Sequence, residues 1–178
     1  MTDNKYVLSF DLGRSSGVAL GKYSETEPYS LVQAWQFGNG CEGLIDWLHH
    51  KHVKQPYTAI CEKYVPLSGK GFNQTLASVE ALVAEGVLLA FGVMPFYPDP
   101  RWRRPVEMYF VGGKDKAEKR KRLKKFLKDT DNYVFGKELG QPDNEDSVSA
   151  IAHGIAYVMK IETHAPTFRM VADWKGPK

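Results

Sequence analysis

The stretch that most constrains this chain is FDLGRSSGVAL, Phe10 to Leu20. Tyr6-Val7-Leu8-Ser9 leads into it as the first part of a buried strand, and Val18-Ala19-Leu20 resumes as a second strand after Gly13-Arg14-Ser15-Ser16-Gly17. The segment predicts two strands joined by a tight turn, with one carboxylate, Asp11, at the end of the first. An acid in an apolar strand is costly to bury unless it is paired or holds a cation. A turn of Gly and Ser directly after it lets a ligand approach the backbone closely. The plainer alternative is an Asp that caps its own turn.

The rest of the pattern is mixed α/β. Residues 5–11, 16–23 and 29–37 read as three successive strands of an antiparallel meander. Residues 41–53 carry Leu44, Ile45, Trp47 and Leu48 at helical spacing, and His49, His50 and His52 close that helix where imidazolium suits the helix dipole. YTAIC (57–61) is a fourth strand ended by Glu62, and 93–97 is a fifth. Between them, 72–91 is a long helix with Leu76, Val79, Leu82, Val83, Gly86, Val87 and Ala90 on one stripe, widened by Leu88 and Leu89. A helix this apolar is either central or shared with a second subunit. The last helix spans 143–161, with Val148, Ile151, Ala152, Ile155 and Val158 facing inward. We read residues 1–162 as one domain and 163–178 as a tail.

Composition narrows the function. The 178 residues are 43% hydrophobic and 25% charged, as in soluble globular domains. No apolar run is long enough for a membrane span and the N-terminus lacks a signal-peptide pattern, so the expected home is the cytoplasm. Two cysteines, Cys41 and Cys61, make no disulfide framework, and Cys61 reads as a small core residue. The net charge of +3 hides an asymmetry. Residues 101–128 hold 12 Lys/Arg against 3 Asp/Glu, a local net of +9, and the remainder is acidic. A basic block of that strength beside an acidic body points to a polyanionic partner.

Acids occupy unusual places at three points of the chain: Asp11 in strand one, Glu62 at the end of strand four, and Asp143 with Asp146 at the start of the last helix. Residues spaced i, i+3 share a helix face, so Asp143 and Asp146 can aim at one spot. Asp143 is alternatively an N-cap after Pro142. Clustered carboxylates repel unless hard cations lie between them, and two Mg²⁺ about 4 Å apart are the usual solution for phosphodiester hydrolysis.

The Asp of FDLG, the Glu of AICEKY, the D-x-x-D of PDNEDSVSAIA and the basic stretch VGGKDKAEKRKR, in this order, resemble the RuvC family of Holliday-junction resolvases. The likeness covers about residues 5–161. It implies an RNase H-like fold, a five-stranded mixed sheet flanked by helices, and a homodimer joined through helix 72–91. It further implies paired cutting of four-way DNA junctions with two Mg²⁺ per site, replaceable by Mn²⁺. Matched by position, Asp11, Glu62, Asp143 and Asp146 would be the metal ligands, and Lys119 would lie close to the scissile phosphate. Val65 stands where bacterial members carry an aromatic wedge, with Tyr64 beside it and Phe72 near; Met108 stands where the family has a second lysine, for which Arg101, Arg103 and Arg104 are substitutes. Arg14, Lys70, Lys114, Lys116, Arg120, Lys121 and Arg122 complete the expected DNA-contacting set. Small divergent members of this kind are often carried by bacteriophages. Three other readings remain: a nuclease for other branched or flapped nucleic acids, a junction-binding module without catalysis, and a sugar-kinase-like phosphotransferase. The last shares the D-L-G-x-S-S turn but needs two domains.

Overall fold

β1 (Lys5–Asp11) alternates with period two, as a pleated strand must. Val7 and Ser9 face one side and Leu8 and Phe10 the other, and all four are fully buried. A strand buried on both faces belongs inside a sheet, and β1 has β2 (Ser16–Tyr23) on one edge and β4 (Thr58–Cys61) on the other. The molecule is described here from a computed structural model, which describes residues 4–27, 29–38, 41–50, 53–62, 72–98, 118, 121 and 145–161.

The sheet order is β3-β2-β1-β4, with β3 spanning Ser30–Phe37. The β1–β2 and β2–β3 pairs are antiparallel, so the expected meander forms, with a register shift between Leu20 and Gly21. β4 runs parallel to β1, with Phe10 opposite Cys61. A parallel pair needs a crossover, and helix α1 (Glu42–His49) lies in it. α1 is shorter than the expected 41–53. Its His49 ring meets Phe91 edge-on at 4.8 Å between centroids, and His50 Nδ1 lies 2.8 Å from the Asp46 carbonyl oxygen.

The expected fifth strand over 93–97 is reduced to one parallel bridge, Ile60 with Phe96. The Cys61 N–H donates to the Phe96 carbonyl at 3.0 Å, and the Phe96 N–H donates to the Ala59 carbonyl at 2.8 Å. Pro95 and Pro98 flank this bridge and have no N–H to extend a ladder. The described sheet is thus four-stranded and mixed, rather than five-stranded.

Two helical layers close the faces. On the Leu8/Phe10 side, Val18, Leu20 and Trp35 pack with Leu44, Trp47 and Leu48 of α1 and with Ala84 and Leu88 of α2 (Phe72–Ala90). On the Val7 side, Ala19, Leu31 and Ile60 pack against Val148, Ile151, Ile155 and Val158 of α3 (Glu145–Ile161). α3 is buried at every residue from 147 to 158.

Of the two expectations for the apolar stripe of α2, central or shared with a second subunit, burial in the single chain rules out the first for its bulky residues, which point outward. Leu76, Val79, Leu82, Val83 and Leu89 are between 43 and 54% exposed, whereas Ser78, Ala81, Ala84 and Leu88 are buried. Small residues let the helix approach the layer beneath. The bulky apolar side is left to solvent in the monomer.

Candidate metal centre

Strand parity decides which acids can meet. Asp11 follows Val7 and Ser9 by steps of two, so it faces α3. Glu62 follows Ile60 by two and shares that face. Phe10 pairs with Cys61, so Asp11 and Glu62 stand one step beyond the same rung, at the C-terminal ends of parallel neighbours. Strand ends of this kind are where open α/β sheets present ligand-binding groups.

α3 crosses this corner at very close range. A Cβ on Gly17, which pairs with Asp11, would lie 2.0 Å from the Asp146 carbonyl carbon. Only glycine lets the helix start sit there. Further along, a Cβ on Gly154 would lie 2.8 Å from the Tyr29 ring and 3.1 Å from Ser9 Oγ. These two approaches fix α3 in height and direction over β1 and β2.

The turn between β1 and β2 is closed by Ser16. Its hydroxyl lies 3.3 Å from both the N–H and the carbonyl oxygen of Gly13. Arg14 is exposed on this turn. The Ser15 hydroxyl donates a short hydrogen bond to Asp146 Oδ2. Gln36, from β3, donates from Nε2 to the same oxygen at 3.0 Å. Its Oε1 accepts from the backbone N–H groups of Asp146 and Ser147, each at 3.1 Å. A side chain from a strand therefore caps the helix and fixes its acid.

Of the expected ligands, the structure brings Asp11 and Glu62 together and adds one that sequence reasoning missed, His153. The ligand atoms of Asp11, Glu62 and His153 all lie within 4.8 Å of one another. His153 Nε2 is 3.3 Å from Glu62 Oε2, with side-chain exposures of 8 and 38%. Asp146 is positioned by Ser15 and Gln36 and is not one of this trio. His153 follows Asp146 by two helical turns. Its signal in the sequence was an imidazole set in the inward apolar run AIAHGIA.

The donors suit a divalent cation: two half-buried carboxylates and a buried imidazole on three separate elements. Burial, followed by the charges of Glu85, Asp11 and Glu62, pushes the neighbouring Cys61 thiol well above its usual range. Cys61 is buried and unreactive, as expected of a core residue.

Asp143, Lys119, Tyr64, Lys70, Arg101, Arg103, Arg104, Lys114, Lys116, Arg120 and Arg122 lie outside the described residues, as do Val65, Met108 and the 163–178 tail. Lys121 is exposed and helical, and Phe72 is the first residue of α2.

The chain resembles a solved structure of Thermus thermophilus RuvC with a TM-score of 0.53, over 89% of this chain and 96% of that one, at 14% sequence identity. No protein-family model and no curated protein matches the sequence. The fold is thus a RuvC-like α/β fold. No helix among the described residues is long and apolar enough to cross a membrane.

Proposed function

We propose that this protein is a metal-dependent, structure-selective endodeoxyribonuclease that resolves four-way DNA junctions by paired phosphodiester hydrolysis. The observation that carries the reading is the convergence of Asp11 and Glu62 on one face of a RuvC-like fold, with Asp146 held at the adjoining helix start. Asp11, Glu62, Asp146 and Asp143 would hold two Mg²⁺ or Mn²⁺ ions. When bound, such a pair supplies a nucleophilic water and stabilises the leaving 3′ oxygen. The chain's own work is to position. Gln36 and Ser15 keep the Asp146 carboxylate oriented, and strand register keeps Asp11 level with Glu62. Lys119 would offset charge on the phosphorane-like state. The basic block 101–128 would grip backbone phosphates without reading sequence.

A four-way junction has two-fold symmetry, and paired cuts need paired sites. The exposed apolar side of α2 supports a homodimer, because a second copy would bury Leu82 and Val83 against their equivalents.

The test is cleavage of matched four-way, three-way, flap and linear DNAs with Mg²⁺. Symmetric cuts in the four-way junction, lost in Asp11→Asn, Glu62→Gln and Asp146→Asn with binding retained, support the reading. Comparable cutting of flaps or three-way forks favours the alternative, a RuvC-like nuclease for other branched substrates. Junction binding without metal-dependent cleavage would leave a binding module.

A further inference from the structure

We infer that His153 is a metal ligand, and that Asp11, Glu62 and His153 together form a cation position that prefers a first-row transition ion to Mg²⁺. The inference rests on the nuclease reading for its context and adds to it the identity of one ligand and the preferred ion.

Geometry comes first. Around a six-coordinate ion with ligands at about 2.1 Å, neighbouring ligand atoms stand about 3 Å apart and opposite ones about 4.2 Å. The Nε2–Oε2 separation of 3.3 Å matches an adjacent pair, and the three ligand atoms lie within 4.8 Å of one another. His153 is also held where a packing histidine would be poorly placed. It lies in the buried run of α3 and turns its Nε2 toward the Glu62 and Asp11 carboxylates. The helix is seated closely there, because glycine at 154 leaves room that a Cβ would fill, 2.8 Å from the Tyr29 ring and 3.1 Å from Ser9 Oγ.

Chemistry then selects the ion. Mg²⁺ favours carboxylate and water oxygens and keeps much of its hydration, whereas imidazole nitrogen favours the later first-row ions. Two carboxylates alone would not separate Mg²⁺ from Mn²⁺. Adding one neutral imidazole does, since it offers a softer donor already desolvated by burial. The consequence is a centre in which one position discriminates by ligand type while Asp146, on its separate Gln36 and Ser15 support, remains an oxygen donor.

The experiment uses the full chain and Mn²⁺ alone as the probe. Electron-spin-echo spectra of bound Mn²⁺ should show a directly coordinated imidazole nitrogen, which changes to the ¹⁵N pattern in protein labelled at histidine. His153→Gln should remove that coupling and weaken Mn²⁺ binding by about 10-fold or more, with a smaller change for Mg²⁺ measured by competition. If His153→Gln does not fold, the labelled wild-type protein and Asp11→Asn carry the test, since the nitrogen coupling must vanish with Asp11. Mn²⁺ that binds through Asp11 without nitrogen coupling would overturn the role of His153 and leave the nuclease reading intact. Absence of any Mn²⁺ site dependent on Asp11 or Glu62 would overturn both.

Discussion

Gln36 holds Asp146 by main chain and side chain at once. Its Oε1 takes the Asp146 N–H at 3.1 Å, and its Nε2 donates to Asp146 Oδ2 at 3.0 Å. Gln36 is itself buried, so no water replaces it readily. Gln36→Leu should remove the acceptor that Gln36 Oε1 offers the N–H groups of Asp146 and Ser147 and cost about 1–3 kcal/mol, visible as a lowered denaturant midpoint. Cleavage measured where the variant is fully folded should fall further than stability explains, because the carboxylate loses its orientation. Gln36→Glu keeps an acceptor but sets a second carboxylate beside Asp146, and should be less active than the wild type.

The outward face of α2 should mediate self-association. Leu82→Glu or Val83→Glu places a charge on that face without touching Ala81, Ala84 or Leu88, which face the core. The expected outcome is a folded monomer by sedimentation, with unpaired nicking of junctions in place of paired cuts. A wild-type chain that is monomeric at micromolar concentration would contradict the expected dimer.

Salt dependence separates phosphate grip from junction recognition. Each neutralised phosphate contributes about −0.9 to the slope of log affinity against log salt. Arg120→Ala, Lys121→Ala and Arg122→Ala combined should flatten the slope by up to about 2.7 and weaken four-way and linear DNA alike. Tyr64→Ala or Phe72→Ala should instead lower junction preference by about 1–3 kcal/mol per stacked base at an unchanged slope. Binding isotherms at several salt concentrations on both DNAs check each expectation.

Alkaline pH should destabilise the fold. Burial raises Tyr29 above its ordinary 10.0 and Cys61 above its ordinary 9.0, and burial together with a hydrogen bond to Glu85 raises Tyr97. The folded chain keeps these protons while the unfolded chain releases them at the ordinary values. Above pH 9 the unfolded state therefore binds fewer protons, and stability falls as pH rises. Below that pH the contribution is fully present. Thermal midpoints measured from pH 7 to 11 should show the decline, and Tyr29→Phe should reduce it. The Tyr29 hydroxyl has no hydrogen-bond partner among the described residues, so the same variant should cost little at neutral pH.

The strands and their facing were legible because period-two alternation reports burial directly, and from Val7 and Ser9 the side on which Asp11 emerges follows by counting. Glu62 was legible for the same reason, two residues past Ile60. The last helix was legible from its inward Val148, Ile151, Ile155 and Val158. His153 was not, because histidine within an apolar helix face carries no mark of what it meets across the interface. Nor was Gln36, whose partners lie 110 residues away and depend on tertiary placement. Which side of α2 faces the sheet was not legible: with apolar residues on most sides, the pattern left the helix either central or shared with a second subunit, and packing selected the small Ala81 and Ala84 with Leu88 for the core. The fifth strand shrank to a bridge because prolines beside Phe96 interrupt hydrogen bonding that its apolar pattern alone suggested.

The seat of α3 on Gly17 has a kinetic consequence. The bond from Ser15 to Asp146 spans 131 residues, so the corner that aligns the acids closes only when these two distant segments have met. Contacts that distant form late, because a long loop must be closed before they return any free energy. Ribosomes deliver α3 after all four described strands. A nascent chain can therefore carry Asp11 and Glu62 in a nearly finished sheet while still lacking the third wall of the centre. The candidate metal centre would be completed as one of the final events of folding, after the described strands have paired.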